Sequence, residues 1–556
     1  MRTFSITTLG CKVNQYESDQ IATLLRGRGL EQIDEGGDIR VVNTCSVTLQ
    51  AASKSRQTVR RAGRYPSSRL SLPVLSDASS STSDCSNLRS GGATENTENT
   101  ENTEEDTEKN AGMSDRFNPS SSSSVQSSVF SVSSVALPRV NTKSVSTEST
   151  RSSPQKSRII VTGCYATSDR DEAAKLPGVD AVLGHHDDVA SDLDRLLTAW
   201  TAEDAIEFAV DNKSQSHRSS NENLARLSTV KSGTISLPQL GMRQTGHQRA
   251  FLKIQDGCDA HCTYCIIPQL RPKLWSKPTD DAVVEAQRLV DAGHLEIVLT
   301  GIFMGAYGQP TALRRRQEHA TGKALGKLVE ALCTRVRGLK RLRLSSLEPG
   351  DLSAELVGVL KSHGQVVPHF HLPLQSGSDH LLHRMNRQYT SCDFMEMIDG
   401  VRDAFDRPAL TTDIIVGFPG ETDAEFAKTL EVVERAKFIH IHAFSYSPRP
   451  RTAAARWTRE FVRGPVVNER INLLRGRAEE HGFEYRRQFV GQTVKLLAEH
   501  ASAEERDVPA MAGFQHGRCE RYFAVHFETG RSRVGELLEV RIDRVTPHRT
   551  LGTIVV

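Results

Sequence analysis

"CDAHCTYC", Cys258 to Cys265, places three cysteines within eight residues at C-x3-C-x2-C spacing. A disulfide takes two thiols and a structural zinc takes four ligands, for which His261 is the nearest fourth. Three thiolates on one short loop also suit three irons of a cubane cluster, which ordinarily takes four. The remaining iron then has an open position for an outside ligand, as a catalytic metal does. The flanking text bears on the choice. "AFLKIQDG" reads as a strand running into Cys258, and "EIVLTG", "RLRLSS", "HFHLPLQ", "LTTDIIVGF" and "FIHIHAFSYS" read as further strands with helical stretches between them. Six strands in βα order predict a partial (β/α)6 barrel, and the loop falls at a C-terminal strand end, where such barrels keep their active sites.

The chain of 556 residues is too long for one hydrophobic core. Its hydrophobic share of 37% is low for a wholly packed protein. A net charge of +2 neither demands nor excludes a nucleic-acid partner. The N-terminal stretch "MRTFSITTLGCKVNQYESDQ" lacks the apolar core of a secretory signal. No stretch approaches the ~20 apolar residues that cross a bilayer. The expectation is a cytoplasmic protein with no membrane association, whose ten cysteines are metal ligands or buried thiols rather than disulfides.

Before the barrel, "TFSITTLG", "IRVVNTC", "RIIVTGC" and "VDAVLG" read as strands, with helices over 16–28 and 47–64, the pattern of an open parallel α/β sheet. This region, 1–210, is interrupted by 66–157, rich in serine and carrying "ENTENTENTE", which has too little apolar surface to offset its ordering entropy and reads as a disordered insertion. Residues 211–246 read as a polar linker, 247–487 as the barrel domain, and 488–556, with "TVKLLAEH", "YFAVHFE", "LLEVRIDRVT" and "TLGTIVV", as a small antiparallel β-barrel. The fold class is therefore multidomain α/β. Cys11, Cys45 and Cys164 each end a strand of the first sheet. Parallel strands bring such ends to one edge, so these thiols converge without a compact motif. Cys85, Cys333, Cys392 and Cys519 have no comparable placement.

"CDAHCTYCIIP" resembles the cluster loop of radical S-adenosylmethionine enzymes. "GCKVNQYESDQ", "VVNTCSVT", "VTGCYA", "LPLQSGSDHLLHRMNRQYT", "TDIIVGFPGETDAEFAKTLE" and "FSYSPRP" resemble one branch, the methylthiotransferases. The likeness spans nearly all of the chain outside the insertion and linker. It implies a 4Fe–4S cluster on Cys258, Cys262 and Cys265 whose open iron chelates S-adenosylmethionine, and a second, auxiliary 4Fe–4S cluster on Cys11, Cys45 and Cys164 that handles sulfur. It implies cosubstrate contacts at Thr300, Gly301, Glu348, Gln375, Ser376 and Gly417, with Ser378 and Gly420 beside them. Each of these alone also reads as a strand-to-helix turn. After "CIIP" the family continues with Arg-Gly and alternating Arg and Ser. Here "QLRPKLWSKP", Gln269 to Pro278, keeps Arg271 and Ser276 but has Pro272 and Trp275 where Gly and Arg are usual.

The C-terminal segment resembles the TRAM-type RNA-binding barrel. Arg449 to Arg487 holds ten arginines against five glutamates, a run that suits an RNA backbone or simply a solvated helix face. The small barrel holds Tyr522, Phe523 and Phe527, an aromatic set from which one ring could stack on a base, although Phe523 and Phe527 read as small-core residues. The family reading is methylthiolation of adenine C2 beside the anticodon of tRNA. It needs an electron donor such as flavodoxin or ferredoxin, and a sulfur donor. "TLGCKVNQYES" resembles the threonylcarbamoyladenosine branch, for which Arg449 and Arg451 are the candidate partners of a threonyl carboxylate. The alternatives are isopentenyladenosine, a ribosomal-protein aspartate, or a cluster-bearing RNA-binding protein without catalysis.

Overall fold

A computed structural model describes residues 1–64, 157–211, 238–241, 248–314, 322–500 and 513–555, with the backbone alone over 203–211. The insertion, apart from residue 157, and the linker, apart from 211 and 238–241, lie outside the described residues.

The first sheet contains β1 (Thr3–Thr8), β2 (Glu31–Gln32), β3 (Ile39–Thr44), β4 (Arg158–Gly163) and β5 (Val179–Leu183). All pair in parallel, in the order β2-β1-β3-β4-β5. Every residue of β3 is buried, as a central parallel strand covered on both faces requires. Helix Leu49–Ala62 begins where Thr48 accepts the Ala51 N–H, satisfying one of the donors a helix start leaves without a partner. Helix Lys12–Gly27 starts four residues earlier than the pattern predicted, directly after Cys11. The short edge strand β2 and the helix Val189–Asp211 carry little periodic signal and are additions to the expected elements.

Next come β6 (Arg249–Asp256), β7 (Trp275–Ser276), β8 (Glu296–Gly301), β9 (Arg341–Leu344), β10 (His369–His371), β11 (Ala409–Val416) and β12 (His440–Ser445). β6, β8 and β9 are parallel neighbours, as are β10, β11 and β12, and a Leu342–Val366 bridge joins the two groups. All six strands predicted for the half-barrel are present. Their outward side chains, among them Leu252, Val298, Leu342, Phe370, Leu410 and Ile414, pack with the surrounding helices into the largest core. Leu240 is buried in that core, with its N–H donated to Glu285.

The last strands, β13 (Thr493–Ala498), β14 (Phe514–Cys519), β15 (Ala524–Glu528), β16 (Leu537–Val545) and β17 (Thr550–Ile554), close a barrel in the order β13-β14-β15-β17-β16. β14 was not foreseen, because "FQHGRC" has no hydrophobic alternation. Phe523 and Phe527 are buried in its core, as expected. Tyr522 goes elsewhere. It stacks on His369 at 4.6 Å, with the guanidinium groups of Arg343, Arg249 and Arg518 within 5.3 Å of its ring. These partners take it out of the set that could stack on a base: it plugs the N-terminal end of the half-barrel.

Candidate active site

Two glycines explain how the chain delivers a thiol at the end of a strand. Gly163 and Gly257, each just before a cysteine, have φ of +90° and +78°. A Cβ on Gly163 would lie 2.3 Å from Asn43 Oδ1, and one on Gly257 would lie 2.0 Å from the Lys273 carbonyl oxygen. Only a residue without a side chain fits either turn.

At the sheet edge, Cys11 begins a helix, Cys45 follows β3 and Cys164 follows β4. A Cβ on Gly10 would lie 3.1 Å from Cys45 Sγ, which shows how closely the first two loops approach. The Cys164 thiol is buried and feels the charge of both other thiols. Burial pushes the Cys45 thiol up to about 11 and carries Cys164 further in the same direction. In the compact loop burial pushes both Cys258 and Cys265 up to about 12, each also feeling the Cys262 thiol. Thiols held so high are poor ligands until a cation replaces their protons, so each set gains its charge by loading metal. In each set every thiol acts on the charge of the others, and three thiols gathered in this way fit a cluster bound through three thiolates.

The two sets meet. Cys164 packs on Ile266 and Leu270, the helix that follows Cys265. Arg271 joins them more firmly. Its carbonyl accepts the Cys258 N–H at 3.0 Å. Its guanidinium forms two 2.8 Å bonds to Glu17, on the helix after Cys11, and a 2.9 Å pair to Asp256 at the end of β6. Lys253 completes the buried network at 2.9 Å from Glu17 and 3.0 Å from Asp256. Burial opposes charge on Glu17, yet Arg271 and Lys253 outweigh it and hold the carboxyl well below its usual range. Sequence reading noted that Arg271 is retained, but only the fold shows its double attachment.

The candidate cosubstrate residues divide into two groups. Gln255 Oε1 accepts the Phe303 N–H, while its amide donates to the Asp256 and Gly257 carbonyls, fastening the loop after β8, a strand that ends in buried Thr300 and half-buried Gly301, to the cysteine loop. Glu348 pairs with Arg387 and lies 3.4 Å from Arg314. Arg387 Nη1 lies 3.2 Å from Cys262 Sγ. Arg387 was not singled out in the sequence, although it stands inside the quoted "MNRQYT". Gln375 has φ of +64° and is half-buried at the end of the fourth barrel strand. Ser376 is fully buried, with Oγ 3.5 Å from Thr429 Oγ1, and Ser378 caps a helix while bonding Glu425. Both serines bond to the helix that begins at Asp423. A Cβ on Gly417 would lie 2.5 Å from Val467, so the packed helix there calls for glycine; one on Gly420 would meet Arg384 Nη1 at 2.7 Å.

Arg449 and Arg451 sit on the loop after β12, against the first sheet. Ser447 accepts the Leu49 N–H at 2.8 Å. Arg449 is buried, 3.9 Å from Asp169, and its charge reaches Cys45. Arg451 is exposed and donates to the Ser168 carbonyl at 3.4 Å. The remaining described cysteines stand apart: Cys333 and Cys519 are buried in cores and Cys392 is exposed.

Comparison with known proteins agrees with this arrangement. The radical SAM superfamily profile matches residues 252–433, and the profile described as uncharacterized protein family UPF0004 matches 3–75. The chain is 31% identical to the threonylcarbamoyladenosine tRNA methylthiotransferase of Bacillus subtilis over 98% of its own length and 94% of that protein's. The enzyme of the same name from Thermotoga maritima is 29% identical over 98% of this chain and 94% of its own length. The tRNA-2-methylthio-N6-dimethylallyladenosine synthase of Corynebacterium efficiens is 34% identical over 70% of each chain. The chain belongs to the radical S-adenosylmethionine tRNA methylthiotransferase family of enzymes, whose cofactors are S-adenosylmethionine and 4Fe–4S clusters.

Proposed function

We propose that the chain methylthiolates C2 of N6-threonylcarbamoyladenosine next to the anticodon of tRNA, with one 4Fe–4S cluster on Cys258, Cys262 and Cys265 and an auxiliary one on Cys11, Cys45 and Cys164. The observation that carries this is the meeting of the two thiol sets, with Cys164 packed on the helix that follows Cys265. When bound, the clusters and S-adenosylmethionine supply a hydrogen-abstracting radical, the sulfur and the methyl group. The protein's part is alignment, for which position is worth several orders of magnitude in rate. Arg271, Glu17 and Asp256 fix the spacing of the two thiol sets. Arg387, held by Glu348, places a positive charge beside Cys262. Gln375, with Thr300 and Gly301, lines the cosubstrate side.

The threonylcarbamoyl group carries a carboxylate that an isopentenyl group lacks. Arg449, beside Cys45, and Arg451 are positioned to bond it. Relatives named for that substrate match the chain nearly end to end, as does one named for the dimethylallyl substrate at 28% identity. We assign residues 1–210 to the auxiliary-cluster domain, 247–487 to the radical SAM domain and 488–556 to a TRAM-like module that binds tRNA. Exposed Arg456, Arg459 and Arg463 supply a basic stretch for phosphates. No described helix is long and apolar enough to cross a membrane. An electron donor and a sulfur donor complete the reaction from outside the chain.

Nucleoside mass spectrometry of tRNA from a strain lacking the gene tests the substrate. Loss of the methylthio form of threonylcarbamoyladenosine, with the isopentenyl form unchanged, is the expected result. Loss of the isopentenyl product instead refutes it.

A further inference from the structure

A second constellation, made of none of the six cysteines, lies inside the half-barrel. We propose that His371, Asp413 and His442 bind a divalent transition-metal ion there. They come from three adjacent parallel strands, β10, β11 and β12. The register pairs His371 with Thr411 and Asp413 with His442, so the three occupy neighbouring levels. Strand alternation sends Phe370, Leu410, Ile414 and Ile441 into the outer core, and therefore these three side chains to the opposite, interior face.

One ligand atom from each residue lies within 4.8 Å of the others, and His371 Nε2 lies 3.2 Å from Asp413 Oδ2. Ligands about 2.0–2.2 Å from a metal stand roughly 3–3.6 Å apart, so a small closing movement completes the site. The rings are held from behind. His371 Nδ1 lies 3.0 Å from Thr411 Oγ1, and His442 Nδ1 lies 3.3 Å from His440 Nε2. A partner on the second ring nitrogen is the support that metal-binding histidines use to fix their orientation. The His371 and Asp413 side chains are 16% and 27% exposed, leaving a small ion a route in. Two imidazoles and one carboxylate select a zinc- or iron(II)-type ion over magnesium or calcium, which take oxygen ligands, and three protein donors leave a coordination position open. Lys12 also acts on Asp413 and competes with an ion for its charge.

The test uses the full chain with its clusters reconstituted anaerobically, titrated with Co2+ alone. The expected result is one bound equivalent whose spectrum lacks a thiolate-to-cobalt charge-transfer band. Asp413→Asn and His442→Gln weaken binding about 100-fold or more, since even an outer partner is worth 10–100-fold, while cluster iron is unchanged. Anomalous scattering from cobalt-loaded crystals then shows a peak among the three residues. Equal affinity in wild type and both variants, or a peak only at the cysteines, overturns the proposal and leaves a His371–Asp413 ion pair that binds nothing. If a variant also loses iron, the wild-type anomalous peak alone decides.

Discussion

The two ends of the half-barrel are both dense in buried charge, and they use it in opposite ways. At the C-terminal ends of the strands, charge is arranged around thiols that burial keeps protonated, and around loops that left-handed glycines push towards them. Arg387 reaches a cysteine sulfur rather than only a carboxylate. At the N-terminal ends, Glu296 is fully buried between Arg341 at 2.9 Å and Arg343 at 2.7 Å, Arg249 pairs with Glu499 at 3.2 Å, and Tyr522 closes the opening. Arg341 also donates to the Cys519 carbonyl, which ties the half-barrel to the C-terminal barrel. One end gathers its charges around protonated thiols. The other neutralises itself and becomes a joint.

The strongest way to break this contrast is to remove the thiols. Replacing Cys258, Cys262 and Cys265 by Ala is expected to lower reconstituted iron to about half and abolish 5′-deoxyadenosine formation, because a cubane needs its thiolates. Replacing Cys11, Cys45 and Cys164 by Ala is expected to lower iron equally but leave 5′-deoxyadenosine formation intact without tRNA. Full wild-type iron in either triple variant breaks the assignment of one cluster to each set.

Next in size is the strut between the sets. Glu17→Gln removes one carboxylate from a network that leaves Arg271 and Lys253 buried. Breaking a buried ion pair from one side costs about 3–5 kcal/mol. Urea unfolding is expected to show that loss, together with slower product formation at unchanged iron content. A variant as stable as wild type would mean that the network does not hold the sets together.

The joint has its own signature in acid. Burial pushes the Glu296 carboxyl up, but Arg343, Arg341 and Arg249 outweigh it and bring it down to about 2. A carboxyl depressed on folding stabilises the protein above its unfolded value, ordinarily near 4.5, and that stability is lost as pH falls towards 2. The shift corresponds to about 3 kcal/mol, of which about 2 kcal/mol disappears between pH 5 and pH 3. Glu296→Gln is expected to lower stability at pH 7 and flatten this part of the pH profile, measured by denaturant melts. A variant that keeps the full acid slope shows that other carboxylates produce it.

The same contrast decides what was legible in the sequence. The C-terminal end shows itself in short strings: a strand, a glycine, a cysteine. "CDAHCTYC" is local, and Cys11, Cys45 and Cys164 become a set once parallel strands are assumed. The N-terminal end has no local signature, since Arg249, Glu296, Arg341, Arg343 and Tyr522 come from separate elements that meet only after folding. Arg387 and the attachments of Arg271 were hidden for that reason. Ser376 and Gly417 are ambiguous for another reason. A buried serine and an unsubstituted turn look the same in sequence whether they face a ligand or a helix. β14 escaped because its hydrogen bonds come from β13 and β15, not from any preference of "FQHGRC".

The smallest expected effect tests the plug itself. Tyr522 gains from stacking on His369 and from three nearby guanidinium groups, together worth about 1–3 kcal/mol. Its φ of +72° costs about 1–2 kcal/mol for any residue with a side chain. Tyr522→Ala therefore loses the contacts and keeps the strain, whereas Tyr522→Gly loses the contacts and is relieved of it. Elsewhere in a chain glycine is the less stable choice, by about 0.5–1 kcal/mol relative to alanine in helix or strand interiors. Here the glycine variant is expected to melt at or above the alanine variant, with both below wild type and both retaining their iron. An alanine variant as stable as wild type would show that Tyr522 only fills space at the joint, and that the arginines hold the two barrels together without it.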